Sequence, residues 1–252
     1  MRTHLWTMIS FNTRIRRISR SNGPIILAND YPTSAACLEK KTIQNIKRLH
    51  GYICGIKLNF HLLLPLGQKE IRRITGAARR HGLVSIADVK LNDIGNTNAV
   101  AAENLWNLGF DALIANPIMG PDGLRAAVTG AHRQGRGIIA LCHMSAPEAR
   151  PAYEVQLRSP PSRLYRLFLS WAVRAKADGV VAGATFPEVI RHCRSTAGGR
   201  LSIYSPGVGI QGGDPGAVVS AGADYLIVGR SIINSKDPVA EAKKIQESAL
   251  GR

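Results

Sequence analysis

The residues best placed to do chemistry are charges spaced two apart in an otherwise apolar run. In Leu83-Val-Ser-Ile-Ala-Asp-Val-Lys90 the two-residue period of a strand puts residues 84, 86, 88 and 90 on one face. Asp88 and Lys90 then share that face, and burying them is costly unless they are paired. A single such pair would serve as a structural plug. Lys57, closing an earlier apolar run, and Asp93, three residues beyond Lys90, extend it to an alternating Lys57–Asp88–Lys90–Asp93 array. Such an array keeps a lysine charged and aimed at a substrate atom. A second group is Ser205-Pro-Gly-Val-Gly-Ile-Gln-Gly-Gly-Asp214 together with Ala223-Asp-Tyr-Leu-Ile-Val-Gly-Arg-Ser231. Any one of these glycines reads as a tight turn. Two glycine-rich turns, the second followed by the planar guanidinium of Arg230, suit a phosphate.

The elements that must position these groups alternate regularly from residue 23 onward. Short runs rich in β-branched residues fall at 24–30, 52–57, 83–90, 112–115, 137–142, 179–182, 201–205 and 225–228. Stretches of helical periodicity lie between them, for example 35–49, 69–81, 98–108 and 163–176. Pro121-Asp122 and Asp237-Pro238 supply helix-start chemistry. Eight strands interleaved with helices predict an α/β chain, a single-domain (β/α)8 TIM barrel over residues 23–252 behind a basic N-terminal extension, 1–22. A doubly wound open sheet is the alternative, but no G-x-G-x-x-G follows the first strand. A barrel gathers its chemistry at the C-terminal ends of its strands. Asp30, Lys57, Asp88, Lys90, Ser145, Pro206 to Gln211, and Gly229-Arg230 all stand there.

Composition bounds the partners. The 252 residues carry 33 Lys+Arg against 17 Asp+Glu, a formal charge of +16, and are 45% hydrophobic. That apolar content excludes wholesale disorder, and no apolar run reaches the roughly 18 residues of a membrane span. The charge suits nucleic acid or a small anion equally. Aromatic residues make up 6% and do not interleave with the basic ones, and no nucleic-acid motif appears, which favours the small anion. Cys37, Cys54, Cys142 and Cys193 are scattered, with neither zinc spacing nor an H-E-x-x-H run, as befits a cytoplasmic protein without a metal site. Residues 1–22 hold five arginines and no acid. Three readings stay open for them: an over-called start with Met8 as the true one, a basic arm packed on the barrel, or a targeting segment.

Asp88-Val-Lys-Leu-Asn-Asp-Ile-Gly-Asn-Thr97 resembles the D-x-K-x-x-D-I-x-x-T signature of the orotidine 5′-monophosphate decarboxylase family. Ala28-Asn-Asp30, Ile56-Lys57, Met144-Ser145, the 205–215 segment and Ile227-Val-Gly-Arg-Ser231 match further family motifs, in family order, over 24–240. D-x-K-x-x-D alone is shared with sibling Mg²⁺-using ketogulonate-phosphate decarboxylases and hexulose-phosphate synthases. The Ile94/Thr97 pair and the Gln-Gly-Gly segment favour the orotidylate branch. The resemblance implies cofactor-independent decarboxylation of orotidylate to UMP, in pyrimidine biosynthesis, with no metal. It implies that Lys90 stabilises and protonates the C6 carbanion beside Asp88, and that Lys57 and Asp30 contact the ribose. Ser145 would bind the pyrimidine edge, Gln211 would bridge base and phosphate, and Gly229 and Arg230 would grip the phosphate beside Pro206. In the family the second aspartate and the threonine come from the partner subunit. Asp93 and Thr97 thereby imply a homodimer with shared sites, and Ile94 of the same motif is a further substrate-binding residue.

Three departures are expected to matter. Asn29 replaces an apolar residue and, by alternation, faces the barrel–helix interface, where a buried amide needs partners. The segment 147–161, with four prolines, reads as a mobile loop that the family closes over substrate, or as an ordinary surface connection. His143 reads as a hydrogen-bonding residue of the barrel rim.

Overall fold

The computed structural model describes residues 6, 8–31, 37–159 and 161–251. Arg2 and the first two residues of the helix expected at 35–49 lie outside them.

The apolar runs form β1 (Ile25–Ala28), β2 (Gly55–Asn59), β3 (Val84–Leu91), β4 (Ala112–Ala115) and β5 (Gly137–His143). A short hairpin, β6 (Gln156–Arg158) and β7 (Pro161–Arg163), precedes β8 (Gly179–Ala182), β9 (Ser202–Pro206) and β10 (Tyr225–Val228). All but the hairpin pair in parallel, and β1 closes on β10 through Ile25↔Leu226. That pairing decides the architecture: a closed eight-stranded barrel, not an open sheet.

The helices are α1 (Phe11–Asn22), α2 (Leu38–Leu49), α3 (Phe60–Leu63), α4 (Gln68–Arg80), α5 (Gly95–Asn107) and α6 (Pro121–Arg133). They continue with α7 (Ala149–Tyr153), α8 (Leu164–Ala175), α9 (Pro187–Ala197), α10 (Pro215–Ser220), α11 (Arg230–Ile233) and α12 (Pro238–Ala249). The Asp237 carboxylate caps α12, accepting from the N–H groups of Val239 and Ala240 at 3.0 and 3.1 Å, with Pro238 in the first turn.

The barrel's N-terminal end is fastened by a recurring device. Asp111, Asp178 and Asp224 each stand one residue before a strand and accept a backbone N–H from its neighbour. The donors are Ser85 at 2.9 Å, Ile138 at 2.9 Å and Ile203 at 2.7 Å. A carboxylate with no rotational slack so pins the register at the end opposite the candidate site. Asp178 also binds His132 Nε2 at 3.0 Å. That hydrogen bond lifts the His132 imidazole above its ordinary value near 6.5, against an opposing effect of burial. A raised pKa stabilises the fold while the ring is protonated and stops doing so as pH rises through the folded value. Thermal midpoints followed from about pH 5.5 to 8 should therefore decline for the native chain and stay flatter for His132→Gln. Parallel curves would refute the coupling.

The basic arm is built into this end of the barrel. Phe11 and Ile15 are fully buried, and the Phe11 ring lies against Gly137 at the start of β5. Arg14 is also buried; its guanidinium donates to the carbonyls of Trp6 and Gly135 and pairs with Asp111 at 3.2 Å. Residues 11–15 of the basic segment thus pack on the barrel.

Asn29 finds the partners that burial demands. It donates to Thr42 Oγ1 at 2.7 Å and accepts from Asn45 Nδ2 at 2.9 Å, joining β1 to α2 on the outer face. The segment 147–161 holds α7 and the β6–β7 hairpin, with Ala149 and Tyr153 buried as anchors.

Candidate active site

A cavity of about 230 Å³ opens at the C-terminal ends of the strands. It is lined by Asp30, Lys57, Asp88, Lys90, Ser145 and Pro206, and by Gln211, Gly229 and Arg230. Its apolar floor is Ile114, Leu141, Val181 and Ile227, one inward-facing residue from each of four strands.

At its centre Asp88 Oδ1 accepts from Lys90 Nζ and Oδ2 from Lys57 Nζ, each at 2.8 Å. Lys57 and Asp88 are buried at 4% and 7% exposure, while the Lys90 side chain is 40% exposed. Burial pushes the Asp88 carboxyl up, but Lys57 and then Lys90 outweigh it and hold the group below the usual carboxylate range. A charge this deep is tolerable because both its oxygens are matched by cations.

Lys90 does not arrive by simple alternation. Ala87 pairs with Leu113 and Leu91 with Ala115, so four steps along β3 match two along β4. The bulge gives Lys90 a left-handed φ of +46°, which costs a side-chain-bearing residue about 1–2 kcal/mol. Lys90 lines the cavity beside Asp88, as the two-residue period predicts, but through a bulge that the period does not reveal.

The fourth member of the array was expected to be Asp93. Within one chain it is not. The backbone leaves β3 at residue 92 and turns into α5, leaving Asp93, Ile94 and Thr97 exposed. The Asp93 carboxylate accepts from the Ile94 N–H at 2.6 Å, and Asp93 and Ile94 border a separate hollow with Met119 and Asp122. The group that does extend the array is Asn59, whose Oδ1 accepts from Lys57 Nζ inside the cavity. Sequence reasoning ended β2 at Lys57 and missed it. The same two-residue period that selects Lys57 selects Asn59 once the strand is carried one step further.

The opposite wall is built from the loops after β9 and β10. Gly207 adopts φ +97°, and a Cβ there would stand 2.7 Å from Ser145 Cβ and 2.8 Å from Gln211 Oε1. Only glycine lets the loop pass so close, and the passage brings Ser145 Oγ to donate to Gln211 Oε1 at 2.9 Å. Ser231 Oγ accepts from the Ile210 N–H at 3.1 Å, tying this loop to the first turn of α11. Arg230 is exposed and has no carboxylate partner among the described residues. Across the mouth, Asp30 Oδ1 is buried without a hydrogen-bond partner, an acceptor awaiting a donor. The pocket thus presents an anion-binding wall, an acceptor for hydroxyl groups, an amide edge and a buried Lys–Asp–Lys line.

Residues 23–245 match the model of the orotidine 5′-phosphate decarboxylase / HUMPS family. The chain belongs to this family. It is 36% identical to the orotidine 5′-phosphate decarboxylase of Methanosarcina mazei, over 90% of this chain and 94% of that protein. Against the Pyrococcus furiosus enzyme of the same name it is 34% identical over 82% and 91%. The crystal structure of orotidine 5′-phosphate decarboxylase from Pyrococcus horikoshii OT3 superposes with a TM-score of 0.74 at 32% identity, covering 90% of this chain and all of that one. The Methanocaldococcus jannaschii enzyme, solved with the inhibitor BMP, superposes with a TM-score of 0.76 at 27% identity, over 90% and 98%. No helix among the described residues is long and apolar enough to cross a membrane.

Proposed function

We propose that this chain decarboxylates orotidine 5′-monophosphate to UMP, as its relatives' name describes, and does so with its own side chains. The observation that carries the reading is the Lys57–Asp88–Lys90 line in a pocket whose far wall offers Arg230 and glycine turns to a phosphate. Loss of CO2 from C6 leaves an electron pair in an sp² orbital that the pyrimidine π system cannot delocalise. The catalyst must meet that charge with fixed charges of its own. Lys90 Nζ is the group for this, and it then passes a proton to C6, forming the C–H bond of UMP. Asp88 adjoins the departing carboxylate, and its paired bonds to Lys57 and Lys90 support a role in orienting the ammonium. Asp30 and Lys57 serve the ribose hydroxyls, the unpartnered Asp30 Oδ1 being suited to accept one. Ser145 and Gln211 meet the base, while Pro206, Gly229 and Arg230 border the phosphate, whose binding energy is available at the distant carbon.

The same reading makes the protein a homodimer in which Asp93, Ile94 and Thr97 complete the partner's pocket. The exposed run they occupy, with Ile94 73% and neighbouring Val100 52% exposed, supports a surface that is covered in use.

The test is turnover of orotidylate by the purified protein with and without EDTA. Conversion to UMP at an unchanged rate in chelator is expected. Activity lost to EDTA and restored by Mg²⁺ would move the chain to the metal-using branch of its family.

A further inference from the structure

We propose that His143 is a positioning residue that couples the 149–163 excursion to the placement of Ser145; this rests on the decarboxylase reading of the site. His143 ends β5 but does not face the rim. Leu141 pairs with Val181 and His143 with Ala182, so β5 carries one extra residue there, and the bulge swings the ring out of the barrel. The ring is fully buried among Tyr153, Tyr165 and Phe186, with centroids 5.7, 5.8 and 4.5 Å away.

Hydrogen-bond accounting shows what it does there. Nδ1 lies 2.8 Å from the Met144 carbonyl, an acceptor only, so Nδ1 donates. Nε2 points at Glu154 Oε1, 3.5 Å away. Both of these atoms are buried and neither has a hydrogen-bond partner. Two orphaned polar atoms facing each other across a gap slightly longer than a hydrogen bond are completed by one proton between them and a small inward movement of Glu154. Glu154 caps α7 and is held on its other oxygen by Arg163 of β7 at 2.6 Å. Arg150 stands 3.9 Å from it and reaches on to Glu188 of α9 at 3.5 Å. Arg150 of α7 and Arg163 of β7 therefore converge on Glu154, which faces His143.

From His143 the line runs directly to the substrate wall. The Met144 carbonyl that it binds precedes Ser145, and this backbone passes so close to Gly183 that a Cβ there would lie 2.5 Å from Met144 O. Thr185 Oγ1 donates to the Ser145 carbonyl at 2.8 Å, and Ser145 Oγ donates to Gln211. Seating the excursion on His143 so fixes the hydroxyl and amide that meet the base.

The experiment compares His143→Phe, Glu154→Leu, their double variant and Glu154→Gln. The glutamine amide can donate to Nε2 and restore the contact. The readouts are KM and kcat for orotidylate, calorimetric affinity for UMP, and amide exchange of residues 144–159. Both single variants should raise KM and weaken UMP about tenfold, with kcat changed far less, and the double variant should be no worse than either. Glu154→Gln should return to within about threefold of the native chain. Unaltered KM, UMP affinity and exchange at Ser145, with only a lowered thermal midpoint, would reduce His143 to a packing role and overturn the proposal. So would additive losses in the double variant. If His143→Phe does not fold, the two Glu154 variants carry the same comparison. Should the native chain fail to turn over orotidylate, the function proposed above falls. The coupling is then judged by exchange at residues 144–159, which must still rise in Glu154→Leu and recover in Glu154→Gln.

Discussion

Lys90→Ala is expected to abolish decarboxylation, by at least about 10⁴-fold in kcat, while leaving the barrel folded. The magnitude follows from two roles lost together: the fixed positive charge beside C6 and the proton that C6 receives. The fold should survive because the Lys90 side chain is half-exposed and Asp88 keeps its buried bond to Lys57. Alanine at φ +46° carries the same backbone strain as lysine, so the substitution isolates the ammonium group. Lys90→Gly relieves that strain and should be equally inactive but at least as stable as the alanine variant. Removing one of the two cations that hold Asp88 below the usual carboxylate range also lets burial raise it. Native Asp88 contributes stability above the unfolded carboxyl value and loses it as pH falls through the depressed folded one. Acid unfolding of Lys90→Ala should accordingly begin at a higher pH. Turnover within tenfold of the native rate would sink the mechanism.

The barrel and most of this site could be read from the chain because both depend on the shortest periodicities a sequence has. Eight apolar runs separated by helical stretches leave few ways to bury their faces, and inward residues at strand ends follow from a period of two. What escaped the sequence is what breaks that period. The bulges near Lys90 and His143 insert residues that no local propensity marks: the first keeps Lys90 at the cavity with a left-handed φ, and the second leaves the His143 ring among Tyr153, Tyr165 and Phe186. Counting by twos put Lys90 at the cavity without revealing the bulge that carries it there, and His143, read as a hydrogen-bonding residue of the rim, is instead buried among aromatic rings. Asp93 is a different case: spacing along the chain says nothing of where the backbone turns, and one chain leaves it outside its own pocket. The buried Asn29 is the converse case, since alternation and the cost of an unpaired amide together foretold a need for partners at the barrel–helix interface, which Thr42 and Asn45 of α2 meet.

The basic arm was the least legible feature, and it supplies the largest expected effect on stability. Asp111→Ala should destabilise the protein by about 3–5 kcal/mol, because it strips the counter-charge from an arginine that is 4% exposed. Asp111 accepts from Trp6 Nε1 at 2.8 Å, from Arg14 at 3.2 Å, from Arg136 at 3.4 Å and from the Ser85 backbone at 2.9 Å. Burial already lowers the Arg14 and Arg136 pKa values against the pull of this one carboxylate. Without it, two buried guanidiniums face each other and β3 loses a register pin. Arg14→Leu should cost less, since Asp111 retains Arg136 and leucine fills the apolar space beside Phe11 and Ile15. Urea midpoints at unchanged slope would measure both. The ordering Asp111→Ala worse than Arg14→Leu is the discriminating result, and the reverse order would mean that the bonds of Arg14 to the Trp6 and Gly135 carbonyls outweigh its pairing with Asp111. Kinetic constants of the folded Asp111 variant should match the native ones, because this lock closes the end of the barrel opposite the pocket. A net charge of +16 invites a search for a polyanionic partner, yet Arg14 spends its charge inside the molecule, holding the first helix against the strands that carry the site.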